Sequence, residues 1–292
     1  TGESTAAWWF LAPALLLLGG FYVLPVLLGA GVSITDFDLY TIGDWRALRV
    51  VWARNLAEIV ANPLFWSALR TTLLFAFMGT PLAVAVALGA ALLLDATALR
   101  GRAVFRTLLF APFVTTVVAV AIVWRAMYHV DYGLVNWLLG LVGIAPRDWL
   151  GDPQWAVPAI VVFGVWKSFG YNMLILLAGL QTIPAELHDA ATLDGASRWQ
   201  RLRTVTLPAL APGLVFVVTI SLLGFLQLFA EPYVMTRGGP ARATTTVVLL
   251  MYEEGFRWWR MGVGSAIAIV LCVVLLGVAW FQRWADHRWR LA

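Results

Sequence analysis

Long uncharged runs alternate along this chain with short polar stretches. The runs are Ser4–Thr35, Thr71–Leu94, Thr107–Trp124, Trp155–Ala185 (broken once, by Lys167), Thr204–Ala230 and Met261–Gln282. About 20 apolar residues in a helix cross the hydrocarbon core of a bilayer, so the pattern predicts an all-α membrane protein with six transmembrane helices. The spans are read at about residues 8–32, 68–94, 106–128, 156–181, 209–231 and 259–282, within one transmembrane domain covering 1–292. Pro13, Pro25 and several glycines predict a bent first span. Tyr132–Pro146 is also uncharged, but Gly133, Gly140 and Gly143 break it, and it reads as an interfacial segment.

The polar stretch between the fourth and fifth spans is dense with helix signals. Thr182 can cap a helix opened by Pro184. Asp194-Gly195 then supplies a stop, because glycine tolerates the left-handed conformation that ends helices. Ser197 with Gln200 forms a capping-box pattern that starts a second helix, and Leu207-Pro208 closes it before the next apolar run. The result is a helix-turn-helix over 184–208, too charged to cross a bilayer. It is shaped to be held by another protein, or else to lie on the membrane as an ordinary amphipathic helix.

Composition supports lipid as the solvent. The chain of 292 residues is 61% hydrophobic and 12% charged, with a mean hydropathy of +0.83, whereas a soluble domain is about a quarter charged. The formal charge of +4 is scattered between spans and does not point to nucleic acid. Placing both termini inside the cell puts Arg100, Arg102, Arg106, Arg198, Arg201, Arg203, Arg283, Arg288 and Arg290 on the inner face, as the positive-inside rule favours. Trp8, Trp9, Trp149, Trp155, Trp258, Trp259, Trp280 and Trp284 fall near span ends, like an aromatic belt. The first run is longer than a signal-peptide core and has no basic leader, which favours a retained span. The single cysteine, Cys272, lies within the last span and is read as a packing residue, so no intrachain disulfide forms.

Catalytic signatures are missing. There is no GxxxxGK[ST] loop, HExxH or GxSxG, and His129, His188 and His287 stand in three separate segments. No catalytic residue and no metal site is expected. Energy for any uphill work must then come from elsewhere.

Asp189-Ala190-Ala191, Asp194-Gly195-Ala196, Leu207-Pro208 and Pro212 together resemble the signature loop of ABC-importer permeases, with Asp189 where a Glu is usual. The resemblance extends in order to Ala12-Pro13-Ala14, to Arg102–Arg106, to Ala178–Pro184, to Thr236–Pro240, to Tyr252 and to Phe256–Gly262. All of these are similar to the carbohydrate-uptake (maltose and glycerol-phosphate) branch. Such a member has the type I importer permease fold, sits multi-pass in a bacterial cytoplasmic (inner) membrane, and is not an enzyme. The resemblance implies a coupling helix that docks on an ATPase through Glu186, Asp189, Ala190, Ala191, Asp194, Gly195, Ala196, Leu207 and Pro208. It also implies a second homologous permease chain, two ATPase subunits and an extracytoplasmic substrate-binding protein. No cofactor is expected on this chain; ATP and Mg belong to the partner ATPases.

Candidate cargo residues follow from both chemistry and resemblance. Lys167, the only lysine, lies within a span, where an ammonium usually faces a cavity or a partner; the alternative is that it snorkels to the interface. Lys167, Ser168, Tyr171 and Asn172 mix polar groups with an aromatic ring, which suits a sugar. By similarity to maltose-type permeases, Ser168 and Tyr171 fall at cargo-contacting positions. In the fifth span Ser221, Phe225, Gln227 and Leu228 align with the family's cargo stretch, and Glu231 caps it. Ser221, Phe225 and Leu228 share helical spacing, while Gln227 is read as the donor replacing the polar amide that Leu228 lacks. The competing reading is that these polar groups glue two helices together. The expected function is ATP-driven uptake of a mono- or oligosaccharide. Glycerol phosphate or another anionic polyol, and a scaffold or receptor subunit that does not transport, stand as alternatives.

Overall fold

A computed structural model describes residues 2–42, 46, 48–96 and 101–289. Arg100 and Arg290, counted above among the inner basic residues, lie outside these described residues, as does the side chain of Arg288. In chain order the helices are α1 Gly2–Leu18, α2 Leu24–Ser33, α3 Arg54–Ala61, α4 Pro63–Asp95, α5 Arg102–Val114, α6 Val117–Met127, α7 Leu134–Leu141, α8 Pro153–Leu180, α9 Ala185–Leu193, α10 Arg198–Arg201, α11 Leu207–Leu226, α12 Ala230–Met235, α13 Val247–Tyr252 and α14 Met261–Trp289. Among the described residues there is no strand, only an isolated bridge between Thr35 and Val50.

Among the described residues, five helical stretches are long and apolar enough to cross a membrane: Ala7–Ser33, Pro63–Asp95, Pro153–Leu180, Arg198–Leu226 and Met261–Trp284. A sixth span results if α5 and α6 are counted together. Residues 106–128, read from sequence as one rod, fold as these two helices, which meet at an angle of 99°. The break falls at Thr115 and Thr116, both extended (ψ 154° and 123°). α7 has only eight residues, too few to span.

Two of the long stretches absorb a proline in the same way. A proline lacks an N–H and its ring presses on the carbonyl four residues back. Just ahead of Pro25 the chain makes a π-turn over Gly19–Val23, closed by Leu24 N–H on Gly19 O. Ahead of Pro208 it makes another over Leu202–Thr206, closed by Leu207 N–H on Leu202 O. The wider turn lets the helix run past the proline. Leu207-Pro208 therefore opens α11 and does not close the preceding helix, contrary to the reading of Leu207-Pro208 as a stop.

The chain divides into two compact units, Thr1–Trp66 with Leu250–Val274, and Ser67–Leu249 with Leu275–Ala292. In the first, Ala7–Ser33 is apolar all round with no part of its apolar window buried; Phe10, for example, is 87% exposed. A helix of that kind needs lipid or a partner around it. Asn55 is buried and donates from Nδ2 to Ser33 O and Thr35 O, both at 2.8 Å. Arg260 pairs with Glu58 of α3 and, at 3.1 Å, with Glu254.

The second unit is built around α8. Its start is set by Asp152, whose carboxylate accepts Gln154 N–H at 2.8 Å, with Pro153 in the first turn. Ile160, Phe163, Met173 and Leu176 of α8 are fully buried and belong to two apolar clusters. Tyr128 ties α6 to this helix by donating to Ala159 O at 3.0 Å. The loop before α8 is organised by buried Asn136, which donates to Arg147 O and accepts from Trp149 Nε1, each at 2.8 Å. The Arg237–Pro240 turn forms as expected, with positive φ at Arg237 and Gly238. The following threonines, Thr244 to Thr246, are buried, and Val247 N–H donates to Thr72 Oγ1 of α4 at 2.9 Å.

Candidate functional site

Eight of the nine residues read as cargo contacts line one cavity of about 260 Å3 in the second unit: Lys167, Ser168, Tyr171, Asn172, Ser221, Phe225, Leu228 and Glu231. Helical spacing explains this. Residues 167, 168, 171 and 172 share one face of α8, and 221, 225 and 228 share one face of α11 and its end. Gln227 is not brought in. It is the C-cap of α11, its backbone turns there (φ −106°, ψ 15°), and its side chain is exposed. Gln227 therefore does not line the cavity within this chain.

Much of the polar lining is already engaged within the protein. Asn172 Nδ2 donates to Ser221 Oγ at 2.9 Å, a buried bond joining α8 to α11. Ser168 donates back to Gly164 O at 2.8 Å. Lys167 neither snorkels nor reaches freely into the cavity: Nζ donates to Pro112 O, Phe113 O and Thr115 O, all at 2.8 Å. Glu231, on α12, lines the same cavity.

Four further residues complete the wall: Phe113, Gly164, Ile220 and Gly224. Phe113 is the important one. Its ring stacks on Tyr171 with centroids 4.6 Å apart and planes 12° from parallel, giving the cavity a flat aromatic side. No local signal marks Phe113, because it comes from α5, more than fifty residues earlier in the chain. Ile220 and Gly224 were accessible to reasoning, since they extend the same face of α11 as Ser221, Phe225 and Leu228.

The polar helix-turn-helix is built much as its residues dictate. α9 ends on Asp194, and Gly195 adopts φ +76°. Gly195 N–H donates to Thr192 O at 3.0 Å and Ala196 N–H to Ala191 O at 2.9 Å, the paired bonds of a Schellman close. Ser197 and Gln200 make the reciprocal capping box, with Ser197 N–H donating to Gln200 Oε1 at 2.7 Å. Arg201 Nη1 donates to Thr192 Oγ1 at 2.8 Å, fastening α10 to α9. Thr182 does not cap α9: its hydroxyl turns back to Gly179 O at 2.8 Å, closing α8, and α9 has no side-chain cap.

Glu186, Asp189, Ala190, Asp194 and Gly195 are exposed on this unit, whereas Ala191 and Ala196 are half-buried toward the protein. Leu207 and Pro208 sit in the first turn of α11. Sequence reasoning missed Leu193, which stands 89% exposed at the end of α9, and Trp199, exposed on α10. Large apolar groups on short polar helices were the available signal.

Apolar spanning helices, a lined cavity between two of them and an exposed helix-turn-helix define a polytopic membrane permease. The chain belongs to the family of binding-protein-dependent transport system inner membrane components, which matches residues 96–291. It is 35% identical over 274 residues to the trehalose/maltose transport system permease protein MalF of Thermococcus litoralis, covering 94% of this chain and 91% of that protein. It is 38% identical over 276 residues to the lactose transport system permease protein LacF of Rhizobium radiobacter, covering 93% and 90%. The arabinooligosaccharides transport system permease protein AraP of Bacillus subtilis is 32% identical over 279 residues, covering 95% and 87%. Among solved structures, a bacterial ABC transporter involved in the import of alginate superposes with a TM-score of 0.80 at 21% identity, covering 98% of this chain and 96% of that one. That likeness shows the fold, which is the importer-permease fold expected. The chain is a transport subunit of an inner-membrane importer and not an enzyme.

Proposed function

We propose that this chain forms half of the translocation pathway of an ATP-driven sugar importer, with a mono- or oligosaccharide as cargo. One observation carries the reading: the cavity between α8 and α11 sets the stacked rings of Tyr171 and Phe113 beside polar groups. Sugars have apolar ring faces that stack on aromatics and hydroxyls that need donors and acceptors. Related permeases named for trehalose/maltose, lactose and arabinooligosaccharides support that cargo class. The state of Lys167 weighs against phosphorylated cargo. An ammonium has three N–H donors, and all three are spent on backbone carbonyls.

In this reading a second, homologous permease supplies the facing wall, and a substrate-binding protein delivers cargo from outside the cell. Both termini and the α9–α10 unit face the cytoplasm. There Glu186, Asp189, Asp194 and the exposed Leu193 dock on one of two ATPase subunits, which hold ATP and Mg. Asp189 can accept charge-assisted hydrogen bonds from the partner, and the bonds at Gly195 and Thr192 make the unit stiff enough to pass on a push. ATP binding opens the cavity outward and hydrolysis returns it inward.

The test is ATP hydrolysis by the complex co-purified from its own operon, with and without the binding protein, across neutral sugars and glycerol phosphates. Stimulation by a neutral saccharide is expected. Stimulation by phosphorylated ligands alone would overturn the cargo class, and the lack of any co-purifying ATPase would overturn the coupling role.

A further inference from the structure

The segment Lys167–Tyr171, which reads as cargo chemistry in sequence, meets another helix before it meets any cargo. α5 ends at Val114 in a 99° break. The last carbonyls of a helix have no donor within it, and at membrane depth a broken helix must find donors in neighbouring protein groups or in a water-filled cavity. Lys167 Nζ lies 2.8 Å from Pro112 O, Phe113 O and Thr115 O at the break. Pro112 O also accepts from the Thr115 N–H at 3.3 Å and the Thr115 hydroxyl at 2.6 Å, so the ammonium serves chiefly Phe113 O and Thr115 O. The sign is also right, because the C-terminal end of a helix carries partial negative charge.

Two more residues on the same face of α8 engage α5. At Gly170 any Cβ would run into the backbone of Leu109 and Phe110, so the two helices pass backbone to backbone. At Tyr171 the ring lies against Phe113, whose ring centroid is also 5.7 Å from the Lys167 ammonium. Positions 167, 170 and 171 follow the i, i+3, i+4 spacing that places residues on one helix face. Phe113 is thus fixed from three directions: its carbonyl by Lys167, its ring by Tyr171, and its helix by the close approach at Gly170.

We infer that Lys167, Gly170 and Tyr171 form a latch that fastens the broken α5–α6 span to α8, with Lys167 as a positioning residue whose ammonium ties the carbonyls at the break to α8. Through that latch Lys167 places the Phe113 wall of the cavity. Its bearing on transport rests on the cargo site proposed above, whereas the latch itself does not. Charge at position 167 then serves the backbone, and uptake of neutral and anionic sugars should respond alike to its loss.

The measurement is amide hydrogen exchange over residues 114–120 in the complete complex in lipid nanodiscs, paired with uptake kinetics in proteoliposomes. Lys167→Met should speed exchange in that segment about tenfold, the loss expected when a charged donor is removed from its acceptors, and lower the maximal rate of uptake. Lys167→Arg keeps a charged donor and should recover both protection and rate. Wild-type exchange in Lys167→Met would overturn the latch, as would a defect confined to KM with the segment still protected. Should Lys167→Met not assemble, Lys167→Arg decides: an assembled, protected complex supports the latch, and its failure to restore assembly or protection rejects it. Should no sugar stimulate the complex, the cargo reading falls while the exchange result stands on its own.

Discussion

At Gly170 the difference between hydrogen and methyl decides how closely α8 can approach α5. Gly170→Ala must push Leu109 aside, and we expect a loss of roughly 1–3 kcal/mol, the usual cost of forcing extra volume into a packed contact. Thermal unfolding of the purified complex checks this. Gly89→Ala is the control, since nothing lies within 4 Å of a Cβ there; it should be neutral or stabilise by about 0.5–1 kcal/mol as a helix-interior glycine is removed. Tyr171 is a different case. Its ring is one half of the stacked pair that walls the cavity, so Tyr171→Ala should cut the rate of uptake severalfold or more while the complex still assembles. Unchanged kinetics would take Tyr171 off the pathway. At this scale the sequence named residue types well and their partners poorly. Lys167 was marked by being charged in an apolar run, but its acceptors lie on α5, about fifty residues away, and no local pattern connects them.

Among the elements, the α9–α10 unit was the most legible, because its signals act within a few residues. The Schellman close at Gly195 and the Ser197–Gln200 box need only their neighbours. Gly195→Pro removes the N–H that reaches Thr192 O and demands φ near −65° where the turn holds +76°. Transport should be abolished, with the binding protein's own affinity for sugar unchanged; equilibrium binding and uptake assays run in parallel read both. Normal uptake would sink the coupling role. Misreadings arose where one local device can do two things. Pro208 looked like a stop, yet a π-turn over Leu202–Thr206 carries the helix through it. Thr182 looked like a cap for α9, yet the N-cap position of α9 falls on Pro184, and the Thr182 hydroxyl turns back to donate to Gly179 O.

On the scale of the molecule, the two compact units rest on different physics. The unit that begins the chain is held partly by polar contacts, among them Arg260 with Glu58 and with Glu254. Glu254 is buried, so Arg260→Gln would strand a carboxylate. We expect it to cost roughly 1–3 kcal/mol, while Arg260→Gln with Glu254→Gln should recover much of that. Unfolding midpoints of the two variants decide it; equal losses would mean that the pair contributes little. The unit around α8 is instead largely an apolar core, in which buried polar bonds fasten helices to one another, Asn172 to Ser221 joining α8 to α11 and Tyr128 to Ala159 O joining α6 to α8. Asn172 and Ser221 thus join two helices, as the glue reading expects, and also line the cavity.

Hydrophobic run length and turn chemistry determined the class, the spans and the helix-turn-helix, because lipid imposes its demand on every residue of a span and caps act on near neighbours. Spacing also fixed which residues share a face within α8 and within α11, whereas setting Lys167–Asn172 against Ser221–Glu231 rested on the family resemblance. Only the tertiary structure decided the break at Thr115, the Phe113 wall, the absence of Gln227 from this cavity's lining and the partners of the one lysine. Each depends on which distant backbone a side chain meets, and a donor in a bilayer takes the nearest unsatisfied acceptor wherever the chain has carried it.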